Sequence, residues 1–114
     1  MSRARTLAQS QVRDAAPLFA ALGDETRFLL LVRLSTRGPG STARLHAEST
    51  VTRQAITKHL EVLSDAGLVR SARRGRERIW ELEPARLVEA HQYLDRISRQ
   101  WDDALARLKA LVER

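Results

Sequence analysis

Apolar residues recur at steps of three and four along most of the chain, which is the spacing of amphipathic helices. The spacing predicts five helices, at about 15–22, 25–35, 42–47, 53–66 and 84–112. Asp24 and Thr52 are placed to cap the second and fourth of them, and Gly67 to end the fourth in a left-handed conformation. Residues 37–41, which include two glycines and a proline, predict a turn. Alternating residues on either side of Gly75, at 69–74 and 78–82, predict a β-hairpin.

The second predicted helix is apolar around most of its circumference. One stripe and its shoulders comprise Phe28, Leu29, Leu30, Leu31, Val32, Leu34 and Ser35. A helix with so wide an apolar surface is expected in the middle of a domain, with these side chains buried.

The last predicted helix carries a single long apolar stripe. Its steps of three and four residues resemble those of a coiled coil, and such a stripe on a terminal helix usually packs against another chain. We therefore expect a homodimer. The residues predicted for the dimer interface are Leu94, Ile97, Trp101, Leu105 and Leu108.

Length and composition bound the fold. A chain of 114 residues with 43% hydrophobic and only 4% aromatic residues fits one mostly helical domain. The polar start predicts a flexible arm over 1–11 and a folded domain over 12–114. The longest apolar run, from Phe28 to Val32, is far shorter than the roughly 20 residues that cross a bilayer. With no such segment, no secretory signal and no cysteine, we expect a cytoplasmic protein.

The charge balance indicates the kind of partner. The chain carries 20 Lys and Arg against 14 Asp and Glu, a net charge of +6, which favours a polyanion such as double-stranded DNA. The third and fourth predicted helices, joined by a tight turn, fit a helix-turn-helix, and the hairpin that follows makes it a winged variant. The predicted fold is therefore mainly α (α+β), a winged helix-turn-helix in the order α-α-α-α-β-β-α.

The start of the fourth helix carries the side chains that a major groove requires, because the groove admits one helix and residues near its N-terminus reach base edges. Gln54 can contact adenine, Arg53 can read guanine, and Thr57 can touch a thymine methyl or a phosphate. Lys58 is suited to a phosphate, and His59 to a structural role or a phosphate contact. The predicted DNA-binding residues are Thr52, Arg53, Gln54, Thr57, Lys58 and His59, with Arg73, Arg74, Arg76 and Arg78 of the hairpin. A basic hairpin tip suits the minor groove or the flanking backbone, although such a charge run also protects a solvated sheet edge from aggregation.

Four motifs occur in order: FAALGDETR from Phe19, TRQAITKHL from Thr52, LSDAGLV from Leu63 and RGRE from Arg74. Together they resemble the ArsR/SmtB family of winged-helix transcriptional repressors, over about 15–112. The resemblance implies a homodimer joined through the first and last helices. It also implies a palindromic operator and repression of the protein's own operon until a signal lowers DNA affinity. It names no effector, and activation in place of repression stays open.

Many members of that family sense metals, so the matching positions matter here. His46 and Glu48 stand where the family's third-helix site has cysteines, and a zinc site needs three or four ligands. The last-helix site is matched by Glu89, His91 and Asp102, with Leu105 in the fourth place. We expect no metal and no cofactor, and a vestigial last-helix site stays open.

Two other classes of function compete with DNA binding. No Ser/His/Asp set, carboxylate pair in an apolar setting or phosphate-binding glycine loop is visible, so an enzyme is not expected. A protein-interaction module that pairs through its last helix, with incidental DNA binding, stays open. Trp101 and Tyr93 most simply fill core or interface, and an organic effector pocket lined by them is the alternative.

Overall fold

The computed structural model describes residues 8–113 and confirms a mainly helical fold with a small antiparallel sheet. The elements in chain order are α1 (Gln9–Leu22), α2 (Glu25–Arg37), β1 (Gly40–Ser41), α3 (Thr42–Ala47), α4 (Arg53–Asp65), β2 (Val69–Arg74), β3 (Glu77–Leu82) and α5 (Pro84–Val112).

Local chemistry sets the helix ends, and the predicted caps Asp24 and Thr52 are confirmed. The side-chain oxygens of Asp24, Ser41 and Thr52 each accept a hydrogen bond from the backbone N–H three residues on, at 3.0–3.1 Å. After α4, Gly67 has φ 77°, in the left-handed region. The N–H of Leu68 then donates to the carbonyl of Leu63 at 2.9 Å, which closes a Schellman motif and turns the chain into β2.

The region 37–41 is more than the predicted turn, because Gly40 and Ser41 form β1. This strand pairs antiparallel with β3, with Gly40 opposite Trp80, and gives a sheet in the order β1-β3-β2. A two-residue strand is too short to show alternation, and its partner lies far along the chain. Gly40 also fits a tight space, because a Cβ there would lie 3.0 Å from Nη2 of Arg33.

One apolar core is shared by the helices and the sheet. Trp80 on β3 is fully buried in it, and its Nε1 donates to Oγ1 of Thr42 at 2.9 Å. The residues buried with it include Leu18, Leu31, Leu34, Leu45, Ile56, Leu60, Leu63 and Leu68. The indole thereby fixes the start of α3 against the sheet.

The prediction that α2 is buried around its circumference is wrong. Its buried side chains are Leu30, Leu31 and Leu34. Phe28 and Leu29 are 55% and 59% exposed, and Val32 and Ser35 are exposed as well. The reason is that α1, α4 and the sheet pack against one side of α2 and leave its other side uncovered. We call Phe28, Leu29 and Val32 the outer face of α2.

The first helix starts earlier than predicted. The N–H of Ala8 donates to Oε1 of Gln11 at 2.8 Å, and residues 9–11, assigned to the arm, form the first turn of α1. This turn is largely exposed, so the sequence carries no apolar signal there. The rest of the predicted arm, 1–7, lies outside the described residues.

The final helix divides into two parts. In the first, Ala90 is buried, and Tyr93 packs edge-on to Phe19 of α1 with ring centroids 6.5 Å apart. After Ile97 none of the described residues is buried, and the molecule extends to 67 Å along its longest axis. All five residues predicted for the dimer interface are exposed here, and we call them the α5 stripe: Leu94, Ile97, Trp101, Leu105 and Leu108. Within residues 8–113 no helix combines the length and the apolar character needed to cross a membrane.

Candidate nucleic-acid interface

The beginning of α4 presents its polar side to solvent. Ile56, Leu60 and Leu63 are fully buried, and this fixes the rotation of the helix about its axis. The predicted contact residues lie on the opposite side: Thr52, Arg53, Gln54 and Lys58 are exposed, and Thr57 is half-buried. The helix can therefore offer its N-terminal turns to a groove without disturbing the core.

A concavity of about 250 Å³ lies between α4, the start of α3 and the hairpin of β2 and β3. Arg53 and Thr57 line it from α4, and Arg73, Arg76 and Arg78 line it from the hairpin. The fold thus brings together on one surface residues that the sequence predicted separately.

The start of α3 completes this concavity, although the sequence pattern does not predict it. Ser41, Thr42 and Ala43 line it. Ser41 and Thr42 already have structural roles, one as the cap of α3 and the other as the acceptor for Trp80. Small residues at a capped helix start are common, so nothing in the sequence marks them as part of a contact surface.

The tip of the hairpin is a two-residue turn. Arg74 pairs with Glu77 across the strands, which leaves Gly75 and Arg76 at the tip. Gly75 has φ 61°, a conformation that favours glycine. Arg73 and Arg78 also stand directly opposite each other, and like charges in that position destabilise a sheet. The positive charge of the hairpin is therefore not explained by sheet stability.

Two of the hairpin arginines are held within the chain. Arg70 donates to the carboxylates of Glu81 and Glu83 at 2.9 and 2.7 Å, and these contacts raise the pKa of Arg70. The guanidinium carbon of Arg78 lies 4.5 Å from the ring centroid of Trp80. Nε of Arg78 also donates to Oγ of Ser71 at 2.9 Å, so Arg78 is held by a hydrogen bond and a cation–π contact while it still faces the concavity.

The other three are exposed, and no salt bridge to them occurs within the described residues: Arg73, Arg74 and Arg76. Arg53, Arg73, Arg76 and Arg78 surround the concavity, where Glu77 is the acidic lining residue. This surface therefore attracts anions.

His59 is turned toward α2 rather than toward this concavity. Its Nδ1 lies 3.3 Å from Nη1 of Arg27 and 3.7 Å from Oδ2 of Asp24. Arg27 also donates to the carbonyl of Ala21 at 2.8 Å, so these side chains join α1, α2 and α4.

Two of the positions that match the family's metal sites pair with arginines instead. Glu48 accepts a hydrogen bond from Nε of Arg33 at 2.6 Å and forms a salt bridge with Nη2 of Arg37 at 3.2 Å, and these contacts lower the pKa of Glu48. Glu89 accepts from Arg86 at 3.1 Å. In the part of the chain that the structure describes, no three His, Asp or Glu side chains are grouped to hold a metal ion.

The chain is similar in sequence and in fold to known transcriptional regulators. No family model matches the chain. The HTH-type transcriptional regulator Rv2034 of Mycobacterium tuberculosis is 33% identical over 104 residues, which cover 91% of this chain and 94% of that protein. The uncharacterized HTH-type transcriptional regulator YuzN of Bacillus subtilis is 50% identical over 68 residues, 54% of this chain and 74% of that protein. Among solved structures, an ArsR-like transcriptional regulator from Rhodococcus sp. RHA1 matches with a TM-score of 0.84 and 38% identity, over 94% of this chain and 97% of that one.

Proposed function

The chain belongs to the ArsR family of winged helix-turn-helix transcriptional regulators, DNA-binding proteins rather than enzymes, and we propose that it binds a palindromic operator as a homodimer and represses its own operon. The observation that carries the DNA-binding part is the basic concavity, where Arg53 and Thr57 of α4 meet Arg73, Arg76 and Arg78 of the hairpin.

We assign each side chain a role by its position. The N-terminal turns of α4 enter the major groove, where Arg53, Gln54 and Thr57 read base edges. Thr52 and Lys58 hold phosphates, which position the helix without reading sequence. His59, with Nδ1 beside Arg27 and Asp24, supports α4 from behind and leaves its other ring nitrogen for a phosphate.

The hairpin contacts the adjacent minor groove or the phosphate backbone of the DNA. Its exposed arginines are free to contact phosphates, and Arg78 is held in place by Trp80. Because α4 and the hairpin flank one concavity, the two contacts fall on neighbouring stretches of the same duplex.

The second protomer packs against the α5 stripe. It is an apolar row on a helix that a single chain leaves uncovered, and burying it between two copies removes that surface from water. A two-fold dimer presents two copies of α4, so the matching operator is a palindrome with half-sites one helical turn, or a multiple of it, apart. The protein then acts on DNA in the cytoplasm.

The direct test is binding of the protein's own upstream DNA against scrambled DNA of equal length, measured by fluorescence anisotropy. We expect the wild type to prefer its own DNA by about 10³-fold or more. Arg53→Ala combined with Gln54→Ala and Thr57→Ala should abolish that preference and leave weak binding to both. Gln92→Ala with Arg107→Ala, exposed changes on α5, is the matched control and should keep it. A preference that survives in the triple variant would refute the recognition role of α4, and equal wild-type binding to both DNAs would favour an interaction module.

The hairpin is tested by salt dependence. Arg74→Ala with Arg76→Ala should weaken binding to all sequences and reduce the slope of log K against log salt by about 0.9 for each phosphate that is no longer neutralised. Arg70→Ala, on the same hairpin but held by Glu81 and Glu83, should change that slope little. An unchanged slope in the double variant would exclude a DNA-contacting hairpin.

Repression is tested in cells with a reporter fused to the upstream region. Deletion of the gene should raise reporter expression, because the operator is then unoccupied. A fall in expression on deletion would identify an activator instead.

A further inference from the structure

A second concavity, larger than the one at the DNA-binding surface, opens between α2, α3 and the turn that joins α3 to α4. It is a half-open cleft of about 550 Å³, within the roughly 300–1,000 Å³ of small-molecule sites. Leu29, Leu30, Val32 and Leu45 form its apolar wall. Leu29 and Val32 are two of the three residues of the outer face of α2, so this cleft contains most of that face.

One end of the cleft is charged. Arg33 and Arg37 of α2 hold the carboxylate of Glu48, which follows α3, at 2.6 and 3.2 Å. Arg33 also donates to the carbonyl of Gly38 at 2.7 Å, and its guanidinium passes close to Gly40. Arg33 is thus locked into the fold, whereas the side chain of Arg37 is 58% exposed.

The charge at this end is positive. Glu48 pairs with both Arg33 and Arg37, so two guanidinium groups face one carboxylate. The other acidic residue that lines the cleft, Glu25, lies at the opposite end of α2, about 18 Å of helix rise from Arg37. An apolar wall with a positive end complements a molecule with an apolar body and one negative charge.

We propose that this cleft binds an amphipathic monoanion, an alkyl or aryl carboxylate, and that the bound anion lowers the affinity of the regulator for DNA. The apolar body lies against Leu29, Leu30 and Val32, and the carboxylate pairs with Arg37 in competition with Glu48. The inference that DNA affinity changes rests on the proposed function, whereas binding of the anion itself does not.

The coupling follows from what Glu48 connects. Residues 48–50 line the cleft and lead directly to Thr52, which caps α4. The Arg33–Glu48–Arg37 contact ties this turn to the end of α2. When a ligand carboxylate takes Arg37, the turn keeps only one of its two ties, and the angle between α3 and α4 is less well fixed. DNA binding must then order the turn again, which weakens it.

Binding is tested first without DNA, by isothermal titration calorimetry and amide NMR with octanoate below its micelle concentration. We expect saturable binding of one octanoate per chain at submillimolar concentration, with shifts confined to residues around 29–50. Arg37→Ala should lower the affinity for octanoate at least about tenfold, because a charged partner of the carboxylate is removed. The affinity for octan-1-ol, which carries no charge, should be unchanged. Leu29→Asp should weaken both, and Arg107→Ala, an exposed arginine on α5, should weaken neither. Circular dichroism verifies that each variant is folded.

Several results would overturn the proposal. The proposal is wrong if octanoate does not bind, or if it binds Arg37→Ala as tightly as it binds the wild type. It is also wrong if octanoate shifts the NMR signals of the α5 stripe instead of those around the cleft. Octanoate that binds only the monomeric Ile97→Asp variant would show that a second copy covers the cleft. DNA binding is then measured with and without octanoate. Octanoate should weaken the binding of the upstream DNA to the wild type but not to Leu29→Asp. Octanoate that binds without changing DNA affinity would refute the effector role and leave the DNA-binding proposal intact.

Discussion

Trp80 and Trp101 lie in two regions that are built in different ways. Trp80 is 0% exposed, packs in the shared core and donates its indole N–H to Thr42. Trp101 is 64% exposed on the α5 stripe, beyond the last buried residue of the helix. The body around Trp80 buries most of its large apolar side chains within one chain, and the outer face of α2 is the main exception. The second half of α5 leaves its apolar stripe exposed, which is the surface that the proposed dimer would bury.

The largest expected effect separates the two tryptophans. Trp80→Ala should lower the free energy of unfolding by about 3–5 kcal/mol, because it leaves a cavity and removes the partner of Thr42. Trp101→Ala should leave the body folded and instead weaken the dimer. Urea unfolding at a protein concentration that keeps both variants in one oligomeric state measures the first effect, and dilution series measure the second. Equal loss of folding stability in the two variants would remove the distinction between the regions.

The next largest effect is expected from charged substitutions in the α5 stripe. Ile97→Asp or Leu108→Asp should split the dimer, because each places an unpaired charge in an apolar contact. Helix content should stay near that of the wild type, since both positions are exposed in the single chain. Sedimentation equilibrium is the measurement, with Arg107→Asp as the control on the same helix. An intact dimer at low concentration in both stripe variants would place the interface elsewhere.

The same contrast explains what could be predicted from sequence. Caps at Asp24 and Thr52 and the left-handed Gly67 depend on residues within a few positions, and the structure confirms them. β1 depends on pairing between Gly40 and Trp80, which no local pattern encodes. The direction in which α2 is buried also depends on distant elements. The sequence marks Phe28 and Leu30 as equally apolar, but the packing of α1, α4 and the sheet buries only the second.

The candidate site also has features that the local sequence predicts and others that depend on distant residues. The types of residue on α4 and the hairpin could be predicted, because groove contacts need long donors near a helix start. Their partners could not be. Arg70 is held by Glu83, which lies beyond the end of β3, and His59 is held by Arg27 on another helix. These contacts separate arginines that are open to a ligand from arginines that are already paired, and only the fold determines them.

The smallest expected effect concerns the contacts that join α1 to the first part of α5. Asp14 of α1 accepts from the hydroxyl of Tyr93 at 2.8 Å and pairs with Arg86 at 3.3 Å. These contacts hold the pKa of Asp14 below its ordinary value of about 3.9. A carboxyl whose pKa is lower in the folded state stabilises it above the unfolded pKa, and this contribution is lost as the pH falls through the folded pKa.

Asp14→Asn should therefore be slightly less stable than the wild type at pH 7, and the gap should narrow as the pH falls below about 3.9, the ordinary pKa of Asp. Urea unfolding across that pH range measures it, with Asp103→Asn, an exposed carboxyl on the second half of α5, as the control. A gap between Asp14→Asn and the wild type that does not change with pH would show that the ionised carboxylate does not join α1 to α5.

The two regions act together if the α5 stripe brings two DNA-binding surfaces onto one operator. Sedimentation velocity of the protein in complex with its upstream DNA tests this most directly. We expect two chains per duplex for the wild type, and for Ile97→Asp a loss of about 10²-fold or more in affinity, because only one half-site is then held. One chain per duplex, bound equally well by the wild type and by Ile97→Asp, would contradict it.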